Sequence, residues 1–172
     1  MTRKGLQLDE MPSPVDPDSR VPRPCVEYLL LRYQGMGSPL NWQRRNMDVS
    51  IENSSDFLTA RLTGVFSLVD AERTFLRILG AIAQHDASKV LVDGRAIEGQ
   101  PRTVERFYYG QFVANAVTEF CSRQKRARPK FSYVLVKPVL DGDRFGNTVA
   151  VHRGMNVKTF DNIDTAVKWL TL

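Results

Sequence analysis

Cysteine and histidine are both scarce, with two of each in 172 residues. Cys25 and Cys121 lie in different parts of the chain, without the spacing of a disulfide framework or a zinc site, so we interpret both as reduced thiols. His85 and His152 are isolated from other metal-binding side chains, and we expect them at helix surfaces or helix ends. The sequence therefore predicts no metal site and no cofactor.

Long apolar runs and catalytic motifs are also missing. No apolar run reaches the roughly 18 residues that a membrane-spanning helix requires, and the segment CVEYLLLRY is too short and too late for a signal peptide. We therefore expect a cytoplasmic protein. The sequence has no glycine-rich phosphate loop, nucleophile elbow, HExxH or CxxC motif, and we predict no catalytic residues and no enzymatic activity.

Acidic residues are outnumbered by basic ones, 19 to 24, which leaves a modest net charge of +5. The run RQKRARPK (123–130) is strongly basic, and no acidic residue occurs from Cys121 through Leu140. We interpret this run as a solvated helix C-terminus, where positive charge suits the helix dipole, and peripheral contact with an acidic membrane surface is the alternative. We do not expect nucleic acid as a partner, because the run lacks the interleaved aromatic residues that stack on bases.

Proline is concentrated at one end of the chain. Residues 1–45 contain six of the nine prolines among mixed charges, a composition that buries too little apolar surface to offset the entropy of ordering. We predict a mobile tail over 1–45 and one domain over 46–172, which is long enough for a single substantial core. Within the tail, residues 26–33 (VEYLLLRY) either dock on the domain, which we favour, or bind a partner.

Hydrophobic periodicity predicts that strands and helices alternate along the domain. Apolar and polar residues alternate on both sides of the turn-prone NSSD, which predicts a β-hairpin with one solvated face. Ser67 and Asp70 resemble a capping box at the start of a helix, and Gly154 is a plausible helix stop. The remaining periodicity predicts helices at 68–84, 109–121, 144–154 and 162–172, and strands at 90–93, 131–136 and 157–160.

This order implies an α/β fold, with a mixed, mostly parallel β-sheet, an N-terminal β-hairpin and about four helices. Three segments carry a family resemblance: VLVDGRAIEG, RFGNTVAVHRGMNVKTF and IDTAVKWL. They contain Asp-x-Arg at 93–95, Ala-x-x-Arg-Gly at 150–154 and Ala-x-x-Trp-Leu at 166–170. With them, the region from about Met47 to Leu172 resembles the SpoIIAA-like branch of the STAS superfamily, whose architecture is similar to that of CRAL-TRIO lipid-binding domains.

The resemblance implies a regulatory binding domain of STAS-like fold. In regulatory STAS proteins, a partner kinase phosphorylates a serine or threonine at the start of the helix after the third strand, and this switches partner binding. The present sequence lacks their Asp-Ser-Ser/Thr-Gly pattern, and the nearest hydroxyl belongs to Thr103 in QPRTVER. The resemblance therefore implies the fold without the phosphorylation switch.

The start of the helix near residue 103 is the candidate binding site. Thr103 is either the N-cap or a first-turn residue with Pro101 at the first helical position, and we favour capping. Arg102 and Arg106 are four residues apart and fall on one helix face beside backbone N–H groups, where an anion would be well received. Cations in the first turn oppose the helix dipole, so an acidic neighbour or ligand is expected there.

Three further residues complete the predicted ligand- or partner-binding site. Asp93 and Arg95 lie two apart at the predicted strand exit, and we expect a structural ion pair rather than acid–base catalysis, because no second titratable group accompanies them. Tyr108 is the best candidate in its aromatic helix to line a cleft or a dimer surface.

We therefore expect a non-enzymatic STAS-like domain that binds a protein partner or a small anionic or apolar ligand. The site would comprise Asp93, Arg95, Arg102, Thr103, Arg106 and Tyr108. The alternative is a lipid or isoprenoid carrier resembling CRAL-TRIO domains, with a ligand cavity between the sheet and the aromatic helix and with the basic run touching a membrane.

Overall fold

A computed structural model describes residues 46–140 and 142–172 of the chain. The predictions for the tail, 1–45, and for docking of residues 26–33 lie outside these residues. In chain order the elements are β1 (Asp48–Asn53), β2 (Leu58–Val65), α1 (Leu68–His85), β3 (Lys89–Glu98), α2 (Thr103–Gln124), β4 (Lys130–Val134), α3 (Phe145–His152), β5 (Val157–Phe160) and α4 (Ile163–Thr171).

The strands form one sheet in the order β1-β2-β3-β4-β5. β1 pairs with β2 in antiparallel register, as the predicted hairpin requires, and the pairs β2–β3, β3–β4 and β4–β5 are parallel. The predicted fold class is confirmed, because this is a mixed and mostly parallel α/β sheet whose antiparallel edge is the N-terminal hairpin.

Helices cover both faces of the sheet, and side chains that alternate along β3 identify the two layers. Val90 and Val92 belong to a large buried cluster to which α1, α2 and α3 contribute. Leu91, which lies between them, belongs to a smaller cluster with Val134 of β4 and Leu170 of α4. Successive side chains of a strand point to opposite faces, so α4 covers the face opposite the other three helices.

Local sequence signals define several helix ends. The Ser67 hydroxyl accepts a hydrogen bond from the backbone N–H of Asp70 at 3.5 Å, which confirms the predicted start of α1. Asn162 caps α4 in the same way, accepting from the N–H groups of Asp164 and Thr165. Gly154 follows α3 with a φ of +81°, a left-handed conformation that favours glycine, and it ends this helix as predicted.

The third strand is longer than its sequence predicts, continuing to Glu98 instead of ending at Asp93. β4 pairs with β3 only as far as Val134, opposite Asp93, and ends there rather than at residue 136. Beyond Asp93, β3 continues to pair with β2, and the register of this pairing shifts between Arg61 and Thr63 of β2. Glycines made this segment resemble a loop, but the nonlocal pairing with β2 keeps it extended.

Candidate functional site

The sheet separates the predicted site residues into two groups. Asp93 follows Leu91 by two positions in β3 and therefore faces the α4 side, where Arg95 also interacts electrostatically with Asp164. The predicted residues of α2 lie on the opposite side, because α2 packs in the cluster with Val90 and Val92. The structure therefore does not bring the six residues together: Asp93 and Arg95 lie apart from Arg102, Thr103, Arg106 and Tyr108.

Asp93 and Arg95 form the predicted ion pair. The guanidinium of Arg95 donates to both carboxylate oxygens of Asp93, from Nε at 2.9 Å and from Nη2 at 2.8 Å. The backbone N–H of Arg95 donates to the same carboxylate at 3.2 Å. These hydrogen bonds, led by that from the Arg95 side chain, lower the pKa of Asp93 although its burial opposes this. The carboxylate is thus satisfied within the protein, which is typical of a structural pair.

The start of α2 is capped by a carboxylate that the sequence-based prediction missed. Arg102 is the N-cap residue, and its backbone N–H donates to Oε2 of Glu105 at 2.7 Å. Thr103 is the first helical residue, so the favoured prediction that it caps the helix is wrong, and Pro101 precedes the helix. The bond from Arg102 also lowers the pKa of Glu105. A glutamate three residues after an N-cap is the signal that would have identified this cap.

Three of the predicted residues come together at the start of α2. Arg102, Thr103 and Arg106 line an open surface depression, which Asp143 and Phe145 also line. Arg106 donates from Nη2 to the backbone carbonyl of Pro138 at 3.1 Å. The side chain of Arg102 lies 3.4 Å from the carboxylate of Glu105 and remains largely exposed. The expected acidic neighbour of the first-turn cations is therefore Glu105.

Tyr108 lies on an exposed surface rather than in a cleft. The residue is 53% exposed, and its ring makes an edge contact with Phe107, with ring centroids 5.6 Å apart. Phe107 stacks in turn on Phe145 of α3 at 6.4 Å. Val104, four residues before Tyr108 on the same helix face, is 48% exposed. We call Val104, Phe107, Tyr108 and Phe145 the aromatic surface.

A cavity of about 110 Å³ lies between the sheet and the helices α2 and α3. Its walls are mainly apolar, and Tyr109 of α2 and Tyr133 of β4 bring two hydroxyls within 3.4 Å of each other. Burial raises the pKa of Tyr109 to about 12 and raises that of Tyr133 as well, so both phenols are neutral. Arg106 lines both this cavity and the surface depression. Sequence patterns could not predict this cavity, because it arises from the way the sheet and helices pack in three dimensions.

The basic run connects the loop before β4 to the ends of three helices. Arg126 donates to the backbone carbonyls of Ile82 and Ala87 at the end of α1, at 3.2 and 2.8 Å. Arg128 donates to the carbonyl of Gly154 after α3, and Lys130 donates to that of Trp169 in α4 at 2.7 Å. The prediction of a solvated helix C-terminus is right for Arg123 and Lys125, which are exposed at the end of α2. It needs correction for the other three cations, which bind carbonyls at helix ends.

The two histidines lie at helix ends, and the described residues contain neither a grouped metal-binding set nor a helix that could span a membrane. His85 and His152 are the last residues of α1 and α3, as expected for helix-end histidines. Within residues 46–140 and 142–172, no three metal-binding side chains are grouped closely enough to hold a metal ion. Over the same residues, every helix is too short or too polar to cross a membrane.

No protein-family model and no curated protein matches the chain. Among solved structures, it is similar to an anti-sigma factor antagonist from Mycobacterium paratuberculosis, with a TM-score of 0.47 and 14% identity, over 72% of this chain and 93% of that chain. It is also similar to a protein of the DUF3478 family with a SpoIIAA-like fold from Shewanella loihica PV-4, with a TM-score of 0.43 and 18% identity, over 79% of this chain and 99% of that chain.

Proposed function

We propose that this chain is a non-enzymatic, STAS-like binding domain that acts through a protein partner, which contacts the aromatic surface. The observation that supports this most strongly is the exposure of Val104 and Tyr108 on successive turns of one helix, at 48% and 53%. Tyr108 contacts the ring of Phe107, which stacks on Phe145, so these rings support one another at the surface before a partner arrives.

The residue types at the aromatic surface are those that are common in protein–protein interfaces. Aromatic and arginine side chains are enriched in protein interfaces, where the rings supply apolar area and the arginines supply directed hydrogen bonds. Arg102 borders Val104 and keeps most of its side chain exposed, and the guanidinium of Arg153 lies 5.5 Å from the centre of the Phe107 ring. We therefore infer a partner whose contact surface combines apolar side chains with acidic groups.

Affinity purification from cells that naturally express the protein tests this function, with a matched pair of variants. Val104→Asp places a charge on the aromatic surface. Val69→Asp is its control, because Val69 occupies the equivalent second position of α1 and is 49% exposed. We expect Val104→Asp to lower recovery of a specific partner at least tenfold, Arg102→Ala and Thr103→Glu to change it, and Val69→Asp to leave it as in the wild type. Equal recovery with both valine variants would refute the proposed surface.

The carrier alternative receives less support from the geometry. A cavity lies where that hypothesis requires one, but its volume of about 110 Å³ is below the roughly 300–1,000 Å³ of pockets that enclose drug-sized ligands. Lipid or isoprenoid carriage would therefore require α2 and α3 to move away from the sheet.

A further inference from the structure

The cavity under α2 and α3 is distinct from the aromatic surface, and its chemistry points to a ligand of its own. Its walls include apolar groups from the segment before β1 and from two helices, such as Met47, Val113 of α2 and Ala150 of α3. A volume of about 110 Å³ far exceeds the roughly 10–15 Å³ that one water needs, and apolar cavities only slightly larger, about 150 Å³, accept benzene. An apolar body near the size of one aromatic ring matches this space.

The tyrosine pair adds a hydrogen-bonding requirement inside the cavity. Tyr109 and Tyr133 together carry two hydroxyl protons, and the single bond between their oxygens, at 3.4 Å, uses one of them. Among the described residues, neither hydroxyl has another hydrogen-bond partner. One O–H therefore remains able to donate to an acceptor atom placed in the cavity, which favours a ligand that carries oxygen as well as an apolar body.

Positive charge lies where the cavity meets solvent. Arg144 is exposed and also lines the cavity, and its side chain has no hydrogen bond or ion pair with any described residue. It has a left-handed backbone, with φ +49°, at the N-cap of α3. Non-glycine residues with such a backbone are concentrated at binding sites. Arg106 reaches the cavity from α2.

We propose that this cavity binds a small carboxylic acid, with its aromatic ring or branched alkyl body between sheet and helices and its carboxylate on Arg144 and Arg106. Arginine recognises a carboxylate through paired, charge-assisted hydrogen bonds, whereas the apolar walls bind the body by excluding water. A neutral analogue lacks the first of these interactions, and an inorganic anion lacks the second. The proposal does not depend on a protein partner at the aromatic surface.

Calorimetric titration of the full chain tests the site with benzoate, phenylacetate and isovalerate, with the corresponding amides, and with inorganic phosphate. At least one acid should bind saturably, and its amide and phosphate should bind at least tenfold more weakly. Arg144→Gln should weaken that acid at least tenfold. Arg123→Gln is the control, because Arg123 is also an exposed arginine but pairs with Glu119 and does not line the cavity.

A second variant tests the apolar part of the site. Ala150→Leu fills space next to the buried wall of α3, and a circular dichroism spectrum and melting curve like those of the wild type establish that it is folded. It should then bind the acid at least tenfold more weakly. The proposal is overturned if none of the acids binds at millimolar concentration, if amide or phosphate binds as well as the acid, or if Arg144→Gln binds like Arg123→Gln. If Ala150→Leu does not fold, the comparison of Arg144→Gln with Arg123→Gln still tests the proposal.

Discussion

At the scale of single residues, the ion pair of Asp93 and Arg95 stabilises the fold, and its contribution to the free energy of unfolding depends on pH. The Asp93 side chain is only 11% exposed, and its carboxylate accepts three hydrogen bonds from the residue two positions along. Removing the charge leaves a guanidinium and a backbone N–H with a weaker acceptor. We expect Asp93→Asn to lower the free energy of unfolding at pH 7 by about 1–3 kcal/mol, measured by urea denaturation.

The stability lost in Asp93→Asn should become smaller as the pH falls. The pKa of Asp93 in the folded state lies below its ordinary value of 3.8, so its charge stabilises the fold fully above that value. The contribution is lost as the pH falls from about 3.8 through the lower folded pKa. The gap between wild type and Asp93→Asn should therefore close in acid. Asp48→Asn, which removes an exposed partner of Arg77, should cost less than about 1 kcal/mol; an equal loss in both variants would contradict the structural role of Asp93.

At the scale of elements, periodicity predicts most of the fold because it reports which face of each segment is buried. The hairpin and four helices follow from alternation and from signals such as Ser67 and Gly154. The extension of β3 could not be predicted, since it depends on pairing with a strand distant in the sequence. Strand alternation could have shown that Asp93 faces away from the α2 side, because Leu91 and Asp93 share one face and Val92 lies on the other. The cavity could not be predicted in this way, because no local sequence pattern encodes how completely the sheet and helices fill the space between them.

The contact between α2 and α3 depends on a glycine. A Cβ added at Gly110 would lie 2.6 Å from the backbone carbonyl oxygen of Gly146 and 3.1 Å from the Val149 side chain. Alanine favours a helix by about 1 kcal/mol over glycine, but overpacking against a backbone atom costs about 1–3 kcal/mol. We expect Gly110→Ala to lower the melting temperature and to weaken acid binding in the cavity, which Gly110 also lines.

The chain offers a matched control for this substitution. A methyl group at Gly142 would have no atom of the described residues within 4 Å, so Gly142→Ala should leave the melting temperature unchanged or slightly higher, because alanine restricts the unfolded chain. Differential scanning calorimetry of both variants is the measurement. A melting temperature for Gly110→Ala at or above that of wild type would mean that α3 shifts away from α2 without cost.

At the scale of the whole molecule, one basic segment ties together layers on opposite faces of the sheet. Arg126 binds the end of α1 and Arg128 binds the turn after α3, both on one face. Lys130 binds Trp169 of α4 on the other face and also lies 4.4 Å from the centre of its indole ring. Three of the five cations in the run that suggests a membrane contact thus bind carbonyls of the protein itself. Net charge alone is consequently poor evidence for a partner here.

Arg126 provides the test of this interpretation. Its side chain is only 17% exposed, binds two carbonyls of the α1 end, pairs with Asp86 at 3.2 Å and lies 5.7 Å from the centre of the Phe120 ring. Arg126→Met keeps much of the apolar stem but leaves two carbonyls without their donor, which should cost about 1–3 kcal/mol in urea denaturation. Arg123→Met, which breaks only an exposed pair within α2, should cost less than about 0.5 kcal/mol. If the two substitutions cost the same, the basic run is a solvated surface after all, and contact with an acidic membrane again becomes the better explanation of its charge.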